Sequence, residues 1–583
     1  MSVGSVGFRL LPLEVELREL QVASLEPGDP PTIEIPRVVI TPSIAPLRGR
    51  RLVLSRVKLE EPRFRIHAYP DPPKGRGGDD IPRLGGGGGG GRGLDVTIGR
   101  LVIQGGEFRL DHDRVPLDID LPDFRGRLQG RPDGGLEGRV SIGPGPLRFG
   151  TAPELPIGTD IDLSFHRGQL TVESARLYGE GTDLAYTGRL RFSGRPQGQF
   201  NLKGPVDLRL LEKHVFRSGL GLEGASRFDG VLSVDGSRLR IEGRMDGTVG
   251  RFLGEDVPRY AGEVSYDGTS GLRLRGLEVE SLGGRGTLDV DVPPAPRPVR
   301  IRGPIAAADG EGLARLVFGW GAFGVATSAT GEIDVAWPKG QTRRISGSVL
   351  LDLAAGGDGR TPLSGRFDWT AEDGVQTVRK ADLRTPEGRA LLEGRVDAED
   401  RTDLAVTADS SDLAATDDLL TRLRRAIGNA EAQKAGFSGE GSFQGRWRGT
   451  LDVPVFEGRS SGRNVGYRGV DWGRAEWVGS ADPVEVRSHS LVVRRGGAEM
   501  WLDGRMQTGY FGQEDAMDVK LRLKEWPAAD LVKAMEWDLD VTGALSGEAS
   551  ARGRRSAPEG EAKVTARSGR YYGVAYDEAA VET

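Results

Sequence analysis

Apolar residues recur at every second position along much of this chain. Leu288, Val290 and Val292 alternate with Asp289 and Asp291, and Val519, Leu521 and Leu523 alternate with Lys520, Arg522 and Lys524. Successive side chains of a strand point to opposite faces, so this spacing predicts strands with one dry face and one charged face. The pattern returns at Leu117, Ile119 and Leu121, at Leu272 and Leu274, and at Val299 and Ile301. Strands of this kind belong to antiparallel sheet with one face in water. The predicted class is all-β: an elongated, repeat-built antiparallel sheet with a few short helices.

Glycine punctuates the strands. Leu136–Val140 and Leu392–Val396 both read LEGRV, with relatives at Thr187–Leu190 and Ile241–Met245. Glycine at recurring strand positions predicts bends, bulges or tight turns. Four segments instead carry helical signals: Asp207–His214, Asp309–Phe318, Asp412–Ile427 and Asp530–Met535. Each opens on an aspartate suited to an N-cap, followed by apolar residues at helical spacing, as in Leu420, Leu423 and Ile427. Their starts lie 102, 103 and 118 residues apart, and each leads into glycine-flanked strands. One order returning four times predicts a repeat array in which each unit buries its apolar surface against its neighbours. The expected segments are a β segment over 1–70, a Gly/Pro-rich linker over 71–93, a β segment over 94–204, repeats over 205–308, 309–411 and 412–529, and the start of another over 530–583. The linker contains an uninterrupted Gly85–Gly91.

Composition removes several function classes. Only 37% of residues are hydrophobic, but 89 glycines occupy positions that a compact core gives to aliphatic side chains. The 79 basic and 85 acidic residues are interleaved, which argues against a nucleic-acid surface. There is no cysteine, so disulfides, thiolate metal sites and cysteine nucleophiles are excluded. The five histidines, His67, His112, His166, His214 and His489, stand singly. Asp111, His112 and Asp113 carry metal or acid–base donor types, but they fit a polar hairpin turn between two strands better. Gly219, Gly221 and Gly224 satisfy GxGxxG with helix and strand in the reverse of the dinucleotide-binding order, so a loop returning to the sheet is expected. Arg422, Arg424 and Arg425 read as the solvated side of an amphipathic helix, with lipid phosphate contact as the alternative. No catalytic, cofactor or metal site is expected, and no enzyme activity. No stretch of 18 apolar residues offers a membrane span.

From Gly439 to Trp477 the text reads GEGSFQGRWRGTLDVPVFEGRSSGRNVGYRGVDWGRAEW. This resembles the AsmA-like superfamily, and within it the TamB-type translocation and assembly module proteins. In their repeat, glycine-spaced strands lead to a Pro-hydrophobic-x-x-Gly turn, here Pro454–Gly458, and then to a small aromatic motif, here Tyr467 and Gly469. A second copy spans Leu545–Val581, and GLDVTIGRLVIQGGEFRLDHD at Gly93–Asp113 is similar to AsmA-type beginnings. The resemblance implies a long antiparallel sheet bent into a U-shaped hydrophobic groove that carries phospholipid between inner and outer membranes. It implies a cell-envelope, periplasmic location, an inner-membrane anchor and a carboxy-terminal domain that lie outside this sequence, and an outer-membrane barrel partner of the BamA/TamA type. No cofactor and no nucleic acid belong to this picture.

The residues supply a mechanism for the groove. Alternating apolar side chains would line one concave face, with acyl chains out of water and headgroups at the mouth. Candidate lining residues are Leu117, Ile119, Leu121, Leu272, Leu274, Leu288, Val290, Val519, Leu521 and Leu523. Roughly 40 strands at about 4.8 Å each would extend on the order of 190 Å. Two alternatives stand beside this reading: an assembly factor for outer-membrane proteins and autotransporters, offering sheet edges to partner strands, and a surface β-solenoid adhesin.

Overall fold

A computed structural model describes residues 1–24, 29–43, 51–68, 95–112, 117–132, 134–149, 155–191, 197–213, 219–236, 238–450, 453–507, 516–554 and 557–582. The expected linker at 71–93 lies outside these residues. The described residues form 36 strands of one long, mostly antiparallel sheet and four α-helices, as the alternation predicts. They divide into two compact units, Met1–Ser281 with Leu288–Arg297, and Leu282–Thr287 with Pro298–Thr583.

In the first unit most strands pair with their sequence neighbours as antiparallel hairpins. One junction departs from the antiparallel expectation. The strands Arg51–Glu60 and Arg63–Ala68 pair parallel to Arg100–His112, with Val57 opposite Leu101 and Phe64 opposite Phe108. A parallel return needs a connection of a dozen or more residues, which the long intervening segment supplies. Helix α1 (Leu208–Leu211) then interrupts the meander, with Asp207 accepting from the Arg209 amide as N-cap.

The second unit is built from three repeats that open with helices α2 (Gly310–Phe318), α3 (Leu413–Ala426) and α4 (Ala528–Met535). Asp309 caps α2 through the Gly312 amide, and Asp412 caps α3 through Ala414 and Ala415. The last helix differs from expectation. It starts at Ala528 behind Pro527, whose fixed φ suits a helix entry, and Asp530 lies inside the first turn as the ion-pair partner of Arg495. Six passes of strand separate α3 from α4, from Phe437–Thr450 to Ala516–Pro527. Six also separate α2 from α3, counting Thr361–Pro362 and Ser364–Glu372 as one broken pass. An even number of passes returns the chain to the rim it left, so these three helices share one rim.

Period two is interrupted at bulges, and the interruption preserves the facing. Val378 and Ala381 bracket an irregularity in which Arg379 and Lys380 are both exposed. Ser488 and Leu491 bracket His489 and Ser490 in the same way. The extra residue in each strand keeps both bracketing residues on the same face and adds local twist. Pro454–Gly458, expected as a turn, instead opens the strand Pro454–Tyr467, where Pro454 needs no ladder donor at the strand's first residue. The turn lies at its far end: Tyr467 pairs with Val470, and Arg468 and Gly469 have φ of 51° and 72°, the left-handed pair of a two-residue hairpin.

The repeated glycines have a steric cause. Gly394, in the second LEGRV copy, has φ 148°, and a Cβ there would lie 2.2 Å from the Asp403 carbonyl oxygen. Gly394→Ala is therefore expected to destabilise its strand pair by about 1–3 kcal/mol, in the range of a strained backbone position. Amide exchange should speed up in Gly388–Val396 and Arg401–Ser410; an unchanged rate there would contradict the steric account.

Candidate functional site

The two faces of the sheet differ sharply in chemistry. In the second unit a row of directly opposed residues runs across fifteen strands without a charged side chain. It begins with Ala308 opposite Ala329, Leu353, Gly365, Leu383, Ala390 and Ala408 in succession. It continues through Phe443, Ser460, Trp477, Leu491 and Leu502 to Leu521, Ala549 and Ala562. At about 4.8 Å per strand, the row is roughly 70 Å long. One residue over, on the opposite face, the matching row includes Arg384, Arg389, Asp409, Glu476, Arg522, Glu548, Lys563 and Glu582.

The first unit carries a row of the same kind. Leu163 opposes Val172, followed by Gly188, Phe200, Leu232, Ile241, Tyr266 and Leu272. Beside it run Ala175, Tyr186, Leu202, Gly230, Gly243, Val264 and Leu274.

Electrostatics separate the faces further. Burial pushes the phenols of Tyr186, Tyr260 and Tyr266 up, as a low-dielectric surface should. On the charged face, hydrogen bonds from Arg389 and Arg384 hold the Asp382 carboxyl well below the ordinary carboxylate range. Arg300 lowers Asp334 in the same way. A depressed carboxylate favours folding above its unfolded pKa, and that contribution is lost as pH falls through the folded one.

Exposure distinguishes two parts of the apolar row. Ala308 and Ala329 are 5% and 0% exposed, whereas every row residue from Leu353 to Ala562 is half-buried. Phe443, Trp447 and Phe456 form an aromatic patch there, with Trp447 and Phe456 centroids 5.5 Å apart and Phe443 edge-on to Phe456. Phe443 also leans over Gly445, where an added Cβ would meet its ring at 2.7 Å. Such rings cover backbone that glycine leaves bare.

Of the candidate lining residues, Leu272, Leu274, Val290 and Leu523 are on this face and sealed by neighbours. Val290 is assigned to it because Asp291 pairs with Arg273 and Arg275 on the charged side of the neighbouring strand. Leu288, Val519 and Leu521 are half-buried, and Leu521 belongs to the long row. Leu117, Ile119 and Leu121 lie in the described strand Leu117–Gly130, but their side chains are outside the described residues. The aromatic members Phe443 and Trp477 were missed; each stands two positions before a strand glycine, Gly445 and Gly479, and that spacing is their sequence signal.

The remaining motifs resolve into structure. Asp111 and His112, expected in a hairpin turn, instead belong to the strand Arg100–His112, where they pair with Asp118 and Leu117, and Asp113 lies outside the described residues. Gly219 and Gly221, with φ of 76° and 60°, form the loop leading back to the sheet. Arg422 is not a solvated residue. It donates to the Phe323 and Gly324 carbonyls at 2.7 and 2.9 Å and to Thr361 at 2.8 Å, while Asp418 braces it at 3.1 Å. Arg425 donates to the Ala432 carbonyl at 2.8 Å. These loop carbonyls draw the Arg422 guanidinium inward, while Arg425 stays exposed as expected of the solvated side.

Among the described residues, no group of His, Asp and Glu is arranged to hold a metal ion, and no helix is long and apolar enough to cross a membrane. No protein-family model, curated protein or solved structure matches the chain.

Arg422→Met keeps the aliphatic stem and removes the donors. It should cost about 1.5–3 kcal/mol, the scale of a charge-assisted hydrogen bond, and release α3 from the Phe323–Gly324 loop. Amide exchange in Leu413–Ala426 reads the result. Exchange as slow as in the parent chain would show that the clamp contributes nothing.

Proposed function

We propose that this chain is a lipid-carrying protein of the AsmA-like, TamB type, which moves phospholipids across the cell envelope along the apolar face of its sheet. The observation that supports this reading is the uncharged row across fifteen strands, half-buried for most of its length. A row of Leu, Phe, Trp and Ala holds an acyl chain by removing it from water, worth about 0.8 kcal/mol per buried methylene. A uniform row offers the same contacts at each step, so a chain can slide without a deep trap. Headgroups stay in solvent, beside arginine and aspartate at the strand margins.

On this reading the protein acts in the periplasm, at the inner membrane. Its partner there is an outer-membrane barrel protein of the BamA/TamA type. The reading needs no catalytic residue and no cofactor.

Leu521→Asp and Trp477→Asp test the reading at half-buried positions, where a carboxylate meets the lipid path without entering a sealed core; Val290, at 1% exposure, would confound transport with folding. Protein purified from cells should carry phospholipid, detected by mass spectrometry, and either substitution should lower the amount by about tenfold, the effect of some 1.4 kcal/mol. Arg522→Asp on the charged face should leave it unchanged. Parent protein without phospholipid, or equal loss in all three variants, would refute the proposal.

A further inference from the structure

The helices of the second unit lock consecutive repeats together in a common way. From α3, Arg422 enters the carbonyls of Phe323 and Gly324 in the repeat before it. From α4, Lys533 donates to the Gly469 carbonyl at 2.6 Å, in the Tyr467–Val470 turn. That turn answers through Arg468, which donates to the Ala534 carbonyl at 3.3 Å and to Glu536 at 3.0 Å. At the foot of α4, Trp526 stacks on Trp472 with centroids 5.7 Å apart. Under this cover Val470 is 3% exposed.

The same turn recurs 104 residues later. Tyr571 pairs with Val574, and Tyr572 and Gly573 have φ of 45° and 81°, as Arg468 and Gly469 do at 51° and 72°. Each turn carries an aromatic two residues beyond its valine, Trp472 in one and Tyr576 in the other. Each is fastened to its own repeat. Tyr467 stacks on Phe437 at 4.9 Å, and Tyr572 donates its amide to Asp540 at 2.9 Å and its hydroxyl to Asp538 at 3.2 Å. The second turn is therefore fully built, yet Val574 is 71% exposed, with Tyr571 at 55% and Tyr572 at 57%. A contiguous apolar surface of this kind marks an interaction site.

We propose that Tyr571, Tyr572, Val574 and Tyr576 form a seat for a strand-and-helix element built like the strands Glu485–Arg495, Ala498–Gln507 and Ala516–Pro527 with α4. The occupant is an amphipathic helix with a lysine in its last turn, aimed at the turn carbonyls, and an aromatic residue at its foot that stacks on Tyr576. Its preceding strands extend the sheet from Val574–Glu582. The internal precedent specifies this occupant, because α4 covers the equivalent turn with those groups. The proposal is independent of the lipid reading.

The chain has no cysteine, so Val470→Cys and Val574→Cys each provide a single reporter thiol. A second copy of Asp482–Trp537, joined after Thr583, supplies the proposed occupant. Labelling of the Val574→Cys thiol should then slow by at least about tenfold, toward the rate of Val470→Cys, as expected for a site that reacts only after local opening. Changing the appended copy's Lys533→Ala should restore much of the lost reactivity, with the appended strands still protected from amide exchange. Labelling of Val574→Cys at the rate of the unextended chain would overturn the proposal, whether the appended strands fold or remain unfolded beside the seat.

Discussion

Strand register decides which side chains share a face of this sheet. All 36 described strands belong to one sheet, so among the described residues there is no second sheet to cover the apolar face. That face remains apolar only while each strand stays opposite the correct residues of the next. A slip of one residue would move Arg522 or Asp503 into the row held by Leu521 and Leu502. Cross-strand ion pairs on the other face oppose such a slip. Arg139 meets the directly opposed Asp162 at 2.8 Å and Arg446 meets Asp403 at 2.8 Å, contacts that a one-residue slip would turn to opposite faces. Each exposed pair contributes little alone, but the set repeats along the sheet.

The irregular features serve the same constraint. Glycines such as Gly394 let strands bend where a Cβ would strike the neighbouring carbonyl, and bulges restore the facing that an extra residue would reverse. The three helices of the second unit act at one rim, where Arg422 and Lys533 hold consecutive repeats by their loop carbonyls. A device at the rim leaves the middle of each strand free for the apolar row.

Much of this was legible in the sequence. Alternation at Val519–Lys524 and Leu272–Leu274 identified strands and their facing, because the side-chain period of a strand does not depend on its partners. The aspartate caps placed α2 and α3 because capping is local chemistry. The fourth helix was misplaced because Asp530 suits an N-cap as well as it suits the ion pair with Arg495, a contact 35 residues away in sequence. Arg422 was read as solvated for a similar reason: its carbonyl partners lie 98 and 99 residues earlier. The long row was only partly visible, since alanines such as Ala390 and Ala408 give little hydropathy signal and their alignment exists only once the strands pair.

The lipid proposal assigns acyl chains to one face of the sheet and not to the other. Photo-crosslinking with a genetically encoded benzophenone at adjacent positions of the strands Phe437–Thr450, Val470–Ala481 and Glu485–Arg495 separates the two faces. Labelling of phospholipid should occur at 443, 477 and 491 and be absent at 442, 476 and 492, following the period of the strand. Labelling on both faces, or on neither, would contradict it.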